Sequence, residues 1–274
     1  MNPDLIYSQY RDDALAKQAT ATEYSTFVAM PFRDRFSYRS KQVYVDLIQA
    51  AAVKANGLKQ TPRPFGVPRR IDEGAGTAVV ISEAIVAEIL RSHFFVGDLT
   101  FENPGVLLEV GIAMGLKPNP QIILITQGEI RDLHFDLQHN KVLSYNPSDA
   151  IAKLAEAMIA AAQSFESNVG SMVESIKKVL TPDAVMMLRE YGSLQRKNPR
   201  LSLVPRVAQL IYKADRQRER FDEASRELLA KRLIFTDYKV RELDNWDVFG
   251  MHATELGWVV IGRMWPEFAR QTPA

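Results

Sequence analysis

Short apolar runs alternate with amphipathic stretches between residues 24 and 145. Thr26-Phe27-Val28-Ala29-Met30 is an apolar run of strand length closed by Pro31, which suits a buried strand because proline cannot donate to a continuing ladder. Tyr44, Leu47, Ile48, Ala51, Ala52 and Ala55 recur at i, i+3, i+4, i+7, i+8 and i+11, the spacing of one helix face, and Gly57 is placed to stop it. Lys59 to Arg70 carries three prolines and reads as loop or sheet edge. Ile81, Ala84, Ile85 and Ile89 mark a second helix, and Phe94 to Gly97 a strand. Asn103 offers an N-cap amide and Pro104 suits the first helical position, so a third helix should run to about Gly115. Gln121 to Thr126 and Lys141 to Tyr145 read as two further strands.

Strands that alternate with helices over this distance predict βαβ units: an α/β fold with a doubly wound parallel sheet and helices on both faces. In such sheets the ligand crevice lies beyond the carboxyl ends of the strands. Met30, Pro31, Phe32, Asp98, Thr126 and Gln127 all fall at those ends, and the helix opened by Asn103 starts there. A common cleft is expected.

Residues 1–22 are polar and non-periodic, an arm or short helix. After residue 146 the pattern turns helical. Asp149 to Phe165 and Val169 to Leu180 read as two helices, and Thr181-Pro182-Asp183 caps another through Val185, Leu188 and Tyr191. Phe221 to Arg232 reads as a helix, Leu233-Ile234 starts a strand, a polar stretch through Asn245 forms a wing, and Met251 to Gly257 leads into a closing helix. The expected organisation is an arm (1–22), an α/β domain (23–147), a helical linker (148–180) and a smaller, mostly helical domain (181–274).

The chain of 274 residues is 46% hydrophobic and 24% charged, enough apolar material for two modest cores. It has no cysteine, which removes disulfides, thiolate catalysis and zinc-thiolate sites. Apolar runs fall short of the roughly 18 residues that span a bilayer, and the N-terminus lacks an apolar signal segment, so a cytoplasmic protein without membrane contact is expected. The net charge of +1 hides an asymmetry: between Arg189 and Arg241 stand 14 Lys or Arg against 7 Asp or Glu. Phosphate-backbone contact by this region is one reading and protein docking or dimerisation the other.

No phosphate-cradling glycine loop is convincing, since Gly74-Ala75-Gly76 lacks the third glycine and follows no clear strand. His93, His134, His139 and His252 are scattered without metal-ligand spacing and read as structural, so no metal and no cofactor are expected. Arg63, Arg69 and Arg70 suit a phosphorylated ligand or a solvated loop equally. Glu109 is the singular residue. From Asn103 to Leu116 it is the one charged side chain in an otherwise apolar or neutral helix. A desolvated carboxylate must pair with a cation, such as Arg33 or Arg70, or carry a raised pKa. Carboxylates gathered in a cleft are what substitution at an anomeric carbon needs.

Phe27-Val28-Ala29-Met30-Pro31-Phe32, Gly97-Asp98-Leu99-Thr100, Asn103-Pro104-Gly105-Val106, Glu109-Val110-Gly111 and Leu124-Ile125-Thr126-Gln127, in this order, resemble the nucleoside 2-deoxyribosyltransferase-like family, relatives of TIR domains. The resemblance implies a flavodoxin-like sheet and a homo-oligomer whose neighbouring subunits complete the pocket. It implies that Glu109, in E-V-G, is the nucleophile that takes the sugar from its base. Asp98 would help to hold the sugar or base, and Asp72, after Arg70-Ile71, would be a further acidic group. Met30, Pro31, Phe32, Asn103, Thr126 and Gln127 would line the substrate site. Val110 stands where the family usually has leucine, Phe101-Glu102 stand where short polar residues are common, and the stretch from Gly66 to Gly76 is long and basic. Hydrolysis of a nucleoside, nucleotide or NAD therefore stands beside transfer between bases.

Leu228-Leu229 followed by Leu233-Ile234, a polar wing and Thr254-Glu255-Leu256-Gly257 resemble a winged-helix domain. Arg226, Lys231 and Arg232 would then contact nucleic acid, with protein docking as the alternative use. The pairing of the two domains resembles toxic effectors of bacterial anti-phage systems, including retrons, and so implies a partner made of reverse transcriptase and small DNA. A non-catalytic nucleotide sensor and a nucleoside-salvage transferase are the competing readings.

Overall fold

Four of the apolar runs form one parallel sheet: β1 (Thr26–Ala29), β2 (Phe94–Asp98), β3 (Ile122–Thr126) and β4 (Val142–Ser144), hydrogen-bonded in that order. Phe27 pairs with Phe95, Gly97 with Leu124 and Ile125 with Leu143. The computed structural model describes residues 13–71, 81–134, 137, 141–145, 148–197, 215–243 and 246–268. Both faces of β1, β2 and most of β3 are buried, which is why they read as continuous apolar runs rather than alternating ones.

The proline-rich stretch before Arg70 is a sheet edge. Tyr24 N donates to Pro64 O at 2.8 Å, Gly66 N to Tyr24 O at 2.9 Å and Arg69 N to Thr26 O at 2.9 Å, giving parallel bridges from Tyr24 to Phe65 and from Phe27 to Arg69. Prolines 64 and 68 cannot donate, so the ladder is broken and the segment is confined to the edge. Counting this edge as the second segment in chain order, the lateral order is 2-1-3-4-5, that of a flavodoxin-like sheet.

The connections are helical. α1 joins Ser40–Gln42, a π-helical stretch Val43–Gln49 and Ala50–Leu58; α2 is Ile81–Arg91 and α3 is Pro104–Leu116. The apolar spacing predicts an ordinary helix from Tyr44, whereas the structure inserts a wider turn, with Ala50 N bonded to Val45 O five residues back. α3 buries Val106, Val110 and Ala113. Gly97 allows its approach, because a Cβ there would meet Val110 Cγ2 at 2.9 Å. These side chains join Phe27, Phe95, Leu99 and Leu124 in one core. Each large apolar side chain buried in this way contributes about 1.5–3 kcal/mol.

α4 is a single helix, Ala150–Val179, in place of the two predicted ones. Glu166-Ser167-Asn168 contains no proline or glycine to break it, and Gly170 costs only about 1 kcal/mol inside a helix. The contacts divide the chain within α4, into Ala21–Asn168 and a second unit of Met1–Thr20 with Val169–Ala274. The helix over 13–20 thus belongs with the C-terminal residues, where Arg232 meets Asp13 at 3.3 Å.

The second unit continues with α5 (Pro182–Lys197), α6 (Asp215–Ala230), an antiparallel hairpin of β5 (Ile234–Leu243) and β6 (Trp246–Ala253), and α7 (Glu255–Met264). Arg220 grips Asp183 through Nε at 2.7 Å and through a second nitrogen. Thr254 caps α7 by accepting from Gly257 N at 3.0 Å. Gly257 permits a close backbone crossing: a Cβ there would lie 2.0 Å from Leu233 O. No helix among the described residues is long and apolar enough to cross a membrane.

Candidate functional site

The sheet delivers Met30-Pro31-Phe32, Asp98 and Thr126-Gln127 to its carboxyl edge because β1, β2 and β3 are parallel and in near register. What each does there differs. Asp98 is 0% exposed. Its carboxylate accepts from Thr100 N at 3.0 Å and Thr100 Oγ1 at 2.5 Å on one oxygen, and from the Tyr38 hydroxyl at 3.0 Å on the other. Tyr145 OH lies 3.1 Å from that second oxygen and 2.8 Å from Thr100 Oγ1; its one proton serves one of them at a time. Burial raises the Asp98 pKa, opposed by these hydrogen bonds, and burial together with the nearby carboxylate also raises those of Tyr38 and Tyr145.

The cage supports a cleft of 570 Å³ lined by Ser37, Thr100, Phe101, Glu102, Thr126 and Gln127 among others. Gln127 N donates to Thr100 Oγ1 at 3.0 Å, and Gly128 N to Thr126 Oγ1 at 3.2 Å. Phe101 and Glu102 both have positive φ, 62° and 45°, and Phe36 has φ 50°. Bulky residues in this left-handed region are strained, and such strain concentrates at binding sites. Arg35 lies over Phe36 and Phe101, 5.0 and 5.5 Å from the ring centroids.

A second cleft of 420 Å³ has Phe32, Ser40, Lys41, Tyr44 and Arg70 in its wall. Met30 is buried and accepts from Arg70 through sulfur at 3.6 Å; Pro31 is buried and its carbonyl accepts from Tyr38 OH at 3.3 Å. Of these two clefts, the first is lined by Thr126 and Gln127 and the second by Phe32. Asp98 lies beneath the first and lines neither.

Glu109 also lines neither cleft. It stands in the second turn of α3, half-buried, and among the described residues its carboxylate has no hydrogen-bond donor or cation as partner. Neither Arg33 nor Arg70 reaches it: Arg70 is held by Ser40 Oγ at 3.2 Å and packs on Phe32 and Tyr44. Desolvation pushes the Glu109 pKa up to about 7. Asn103 caps the same helix, its side-chain oxygen accepting from Gly105 N at 3.0 Å and Val106 N at 3.4 Å. Asp72 lies outside the described residues, as do Gly74-Ala75-Gly76 and His139.

Of the three arginines, Arg63 pairs with Glu166 and covers Tyr24, Arg69 meets Glu88 at 3.1 Å, and Arg70 borders the 420 Å³ cleft. His93 is buried, its Nδ1 accepting from Ser25 N at 3.0 Å, and His252 stacks on Phe235. No three His, Asp or Glu gather to hold a metal among the described residues. In the second unit Arg226 is exposed, bonded to Asp222 O at 3.2 Å; Lys231 is partly buried and Arg232 carries φ 57°. Tyr38 and Tyr145 escaped sequence reasoning as site residues, since nothing near them in the chain marks them as partners of Asp98, whereas Thr100, two residues from Asp98, is a local partner of the kind an Asx turn supplies. No protein-family model, curated protein or solved structure matches the chain.

Proposed function

We propose that the chain is an N-glycosidase or ribosyltransferase that cleaves the base-sugar bond of a nucleotide, nucleoside or NAD, with Glu109 as nucleophile. One observation carries this reading: a half-buried carboxylate without a partner among the described residues, its pKa raised to about 7, on the helix that follows a strand tip of a parallel sheet. A structural glutamate in that position would be expected to hold a cation. The Glu109 carboxylate attacks C1′ as the N-glycosidic bond breaks; the base departs with the bonding pair, which neutralises the nicotinamide ring of NAD, whereas the base of a nucleoside or nucleotide takes a proton from solvent. Water or a second base then displaces Glu109 from the sugar. The exposed Phe36 and Phe101 rings offer a face for stacking a base.

The test is release of free base from NAD, nucleoside monophosphates and deoxynucleosides, followed by chromatography. Release that vanishes in Glu109→Gln supports the reading; none from any of them sinks it.

The caged state of Asp98 favours a second reading, a nucleotide sensor without turnover, because its oxygens already serve Thr100, Tyr38 and Tyr145. Tight nucleotide binding without product would select it. We further propose that α6, the β5–β6 hairpin and α7 act as a winged helix that binds DNA or a DNA-containing partner, within a toxic effector of anti-phage defence. The basic excess from Arg189 to Arg241 supports this. A DNA affinity that does not fall with salt removes it.

A further inference from the structure

The 420 Å³ cleft holds a constellation that base-sugar cleavage does not require. The Arg70 guanidinium lies between two rings, its carbon 5.4 Å from the centroid of Phe32 and 4.9 Å from that of Tyr44. Tyr44 is itself anchored by its hydroxyl to Pro68 O at 2.5 Å. Arg70 donates to Ser40 Oγ at 3.2 Å, which leaves the buried serine hydroxyl its own proton to give. Lys41, next in the chain, is exposed and borders the same space. Asp34, the one carboxylate in the wall among the described residues, is committed to capping α1, where it accepts from Ser40 N at 2.9 Å.

The π-helical stretch shapes the wall. With Ala50 N bonded to Val45 O, residues five apart come onto one side, and Tyr44 and Gln49 both line the cleft. An α-helical turn would carry Gln49 away from it.

We propose that this cleft is a phosphoryl subsite, in which Arg70 presents a guanidinium fork to a phosphate group while Ser40 and Lys41 donate to its remaining oxygens. Arg70 and Lys41 both bring positive charge to this wall, which suits a phosphate group. Guanidinium held between rings gives up little freedom on binding. The location agrees: Phe32 lies just past β1 and Arg70 just past the sheet edge, at the carboxyl side where flavodoxin-like sheets hold their ligands. This subsite rests on the glycosidase reading and deepens it, since it makes the substrate a nucleoside 5′-phosphate or dinucleotide rather than a free nucleoside.

The experiment is calorimetric binding of AMP, adenosine and inorganic phosphate to Glu109→Gln, which binds without turning over. AMP should bind about 10- to 100-fold tighter than adenosine, the range of one or two charge-assisted hydrogen bonds. Arg70→Lys, which keeps the charge and loses the fork, and Lys41→Glu should each remove about tenfold from AMP and leave adenosine unchanged. Lys41 is exposed and should not disturb folding; the shift in thermal unfolding temperature by phosphate reports on Arg70 variants independently. Equal binding of AMP and adenosine, undiminished AMP preference in both variants, or no response to either phosphate compound overturns the subsite. Base release scores the glycosidase separately: a phosphate preference without base release sinks the enzyme and keeps the subsite, and equally fast release from adenosine and AMP without that preference does the reverse.

Discussion

The Tyr38 hydroxyl donates to the fully buried carboxylate of Asp98 at 3.0 Å, joining residues 60 positions apart at the carboxyl edge of the sheet. Asp98 is consequently a structural hub whatever else it does. Asp98→Ala strands the Thr100 and Tyr38 donors and should cost about 3 kcal/mol or more, whereas Tyr38→Phe should cost about 1–2 kcal/mol. Urea denaturation with far-ultraviolet circular dichroism reads both. A loss below 1 kcal/mol for Asp98→Ala would contradict the cage.

Glu109 should make stability fall with rising pH. Its folded pKa, about 7, lies above the usual value of 4.5, so between these the native state binds the proton that the unfolded chain releases. Stability contributed by the protonated group is present below 4.5 and lost as pH rises through 7. Glu109→Gln should flatten this slope and, after allowance for partial exposure, be about 1–2 kcal/mol more stable at pH 8. Denaturation curves from pH 4.5 to 8 decide it.

Catalysis should follow the same group in the opposite sense. Attack on C1′ needs the ionised carboxylate, so base release should climb tenfold per pH unit below about 7 and level off above it. A rate already flat at pH 5 would exclude Glu109 as nucleophile.

Lys117 supplies a mirror image at the far end of α3. It is 7% exposed, its ammonium bonds Ser92 O at 2.5 Å, and burial lowers its pKa to about 7. The unfolded chain holds this proton up to about 10.5, so stability should rise as pH climbs from 7 towards 10. Lys117→Met should remove that rise and gain about 1–3 kcal/mol at pH 6. The same denaturation series, extended to pH 10, measures it.

Two glycines should respond oppositely to alanine. At Gly257 the new Cβ would meet Leu233 O at 2.0 Å, so Gly257→Ala should cost about 3 kcal/mol or more. At Gly111 in α3 nothing lies within 4 Å, and Gly111→Ala should gain about 0.5–1 kcal/mol. Thermal unfolding of both variants tests the pair.

Local chemistry by itself determined much of this protein. The apolar runs at β1, β2 and β3 are strands because both faces are covered, and Asn103-Pro104 opens α3 because a cap and its donors lie within three residues of each other. Glu109 stood out as the lone charge of its helix. Tertiary structure decided the rest. Whether Glu109 found a cation, whether Asp98 faced a ligand or a cage, and which of three arginines bordered a cleft all depended on side chains brought in from loops tens of residues away. The π-helical turn in α1 was invisible, since apolar spacing tolerates one extra residue, and the prolines before Arg70 marked a loop or edge without naming β1 as its neighbour. Caps and periodicity are short-range and written in order along the chain; partnership across a parallel sheet is not, because every crossover separates in sequence what hydrogen bonding places side by side.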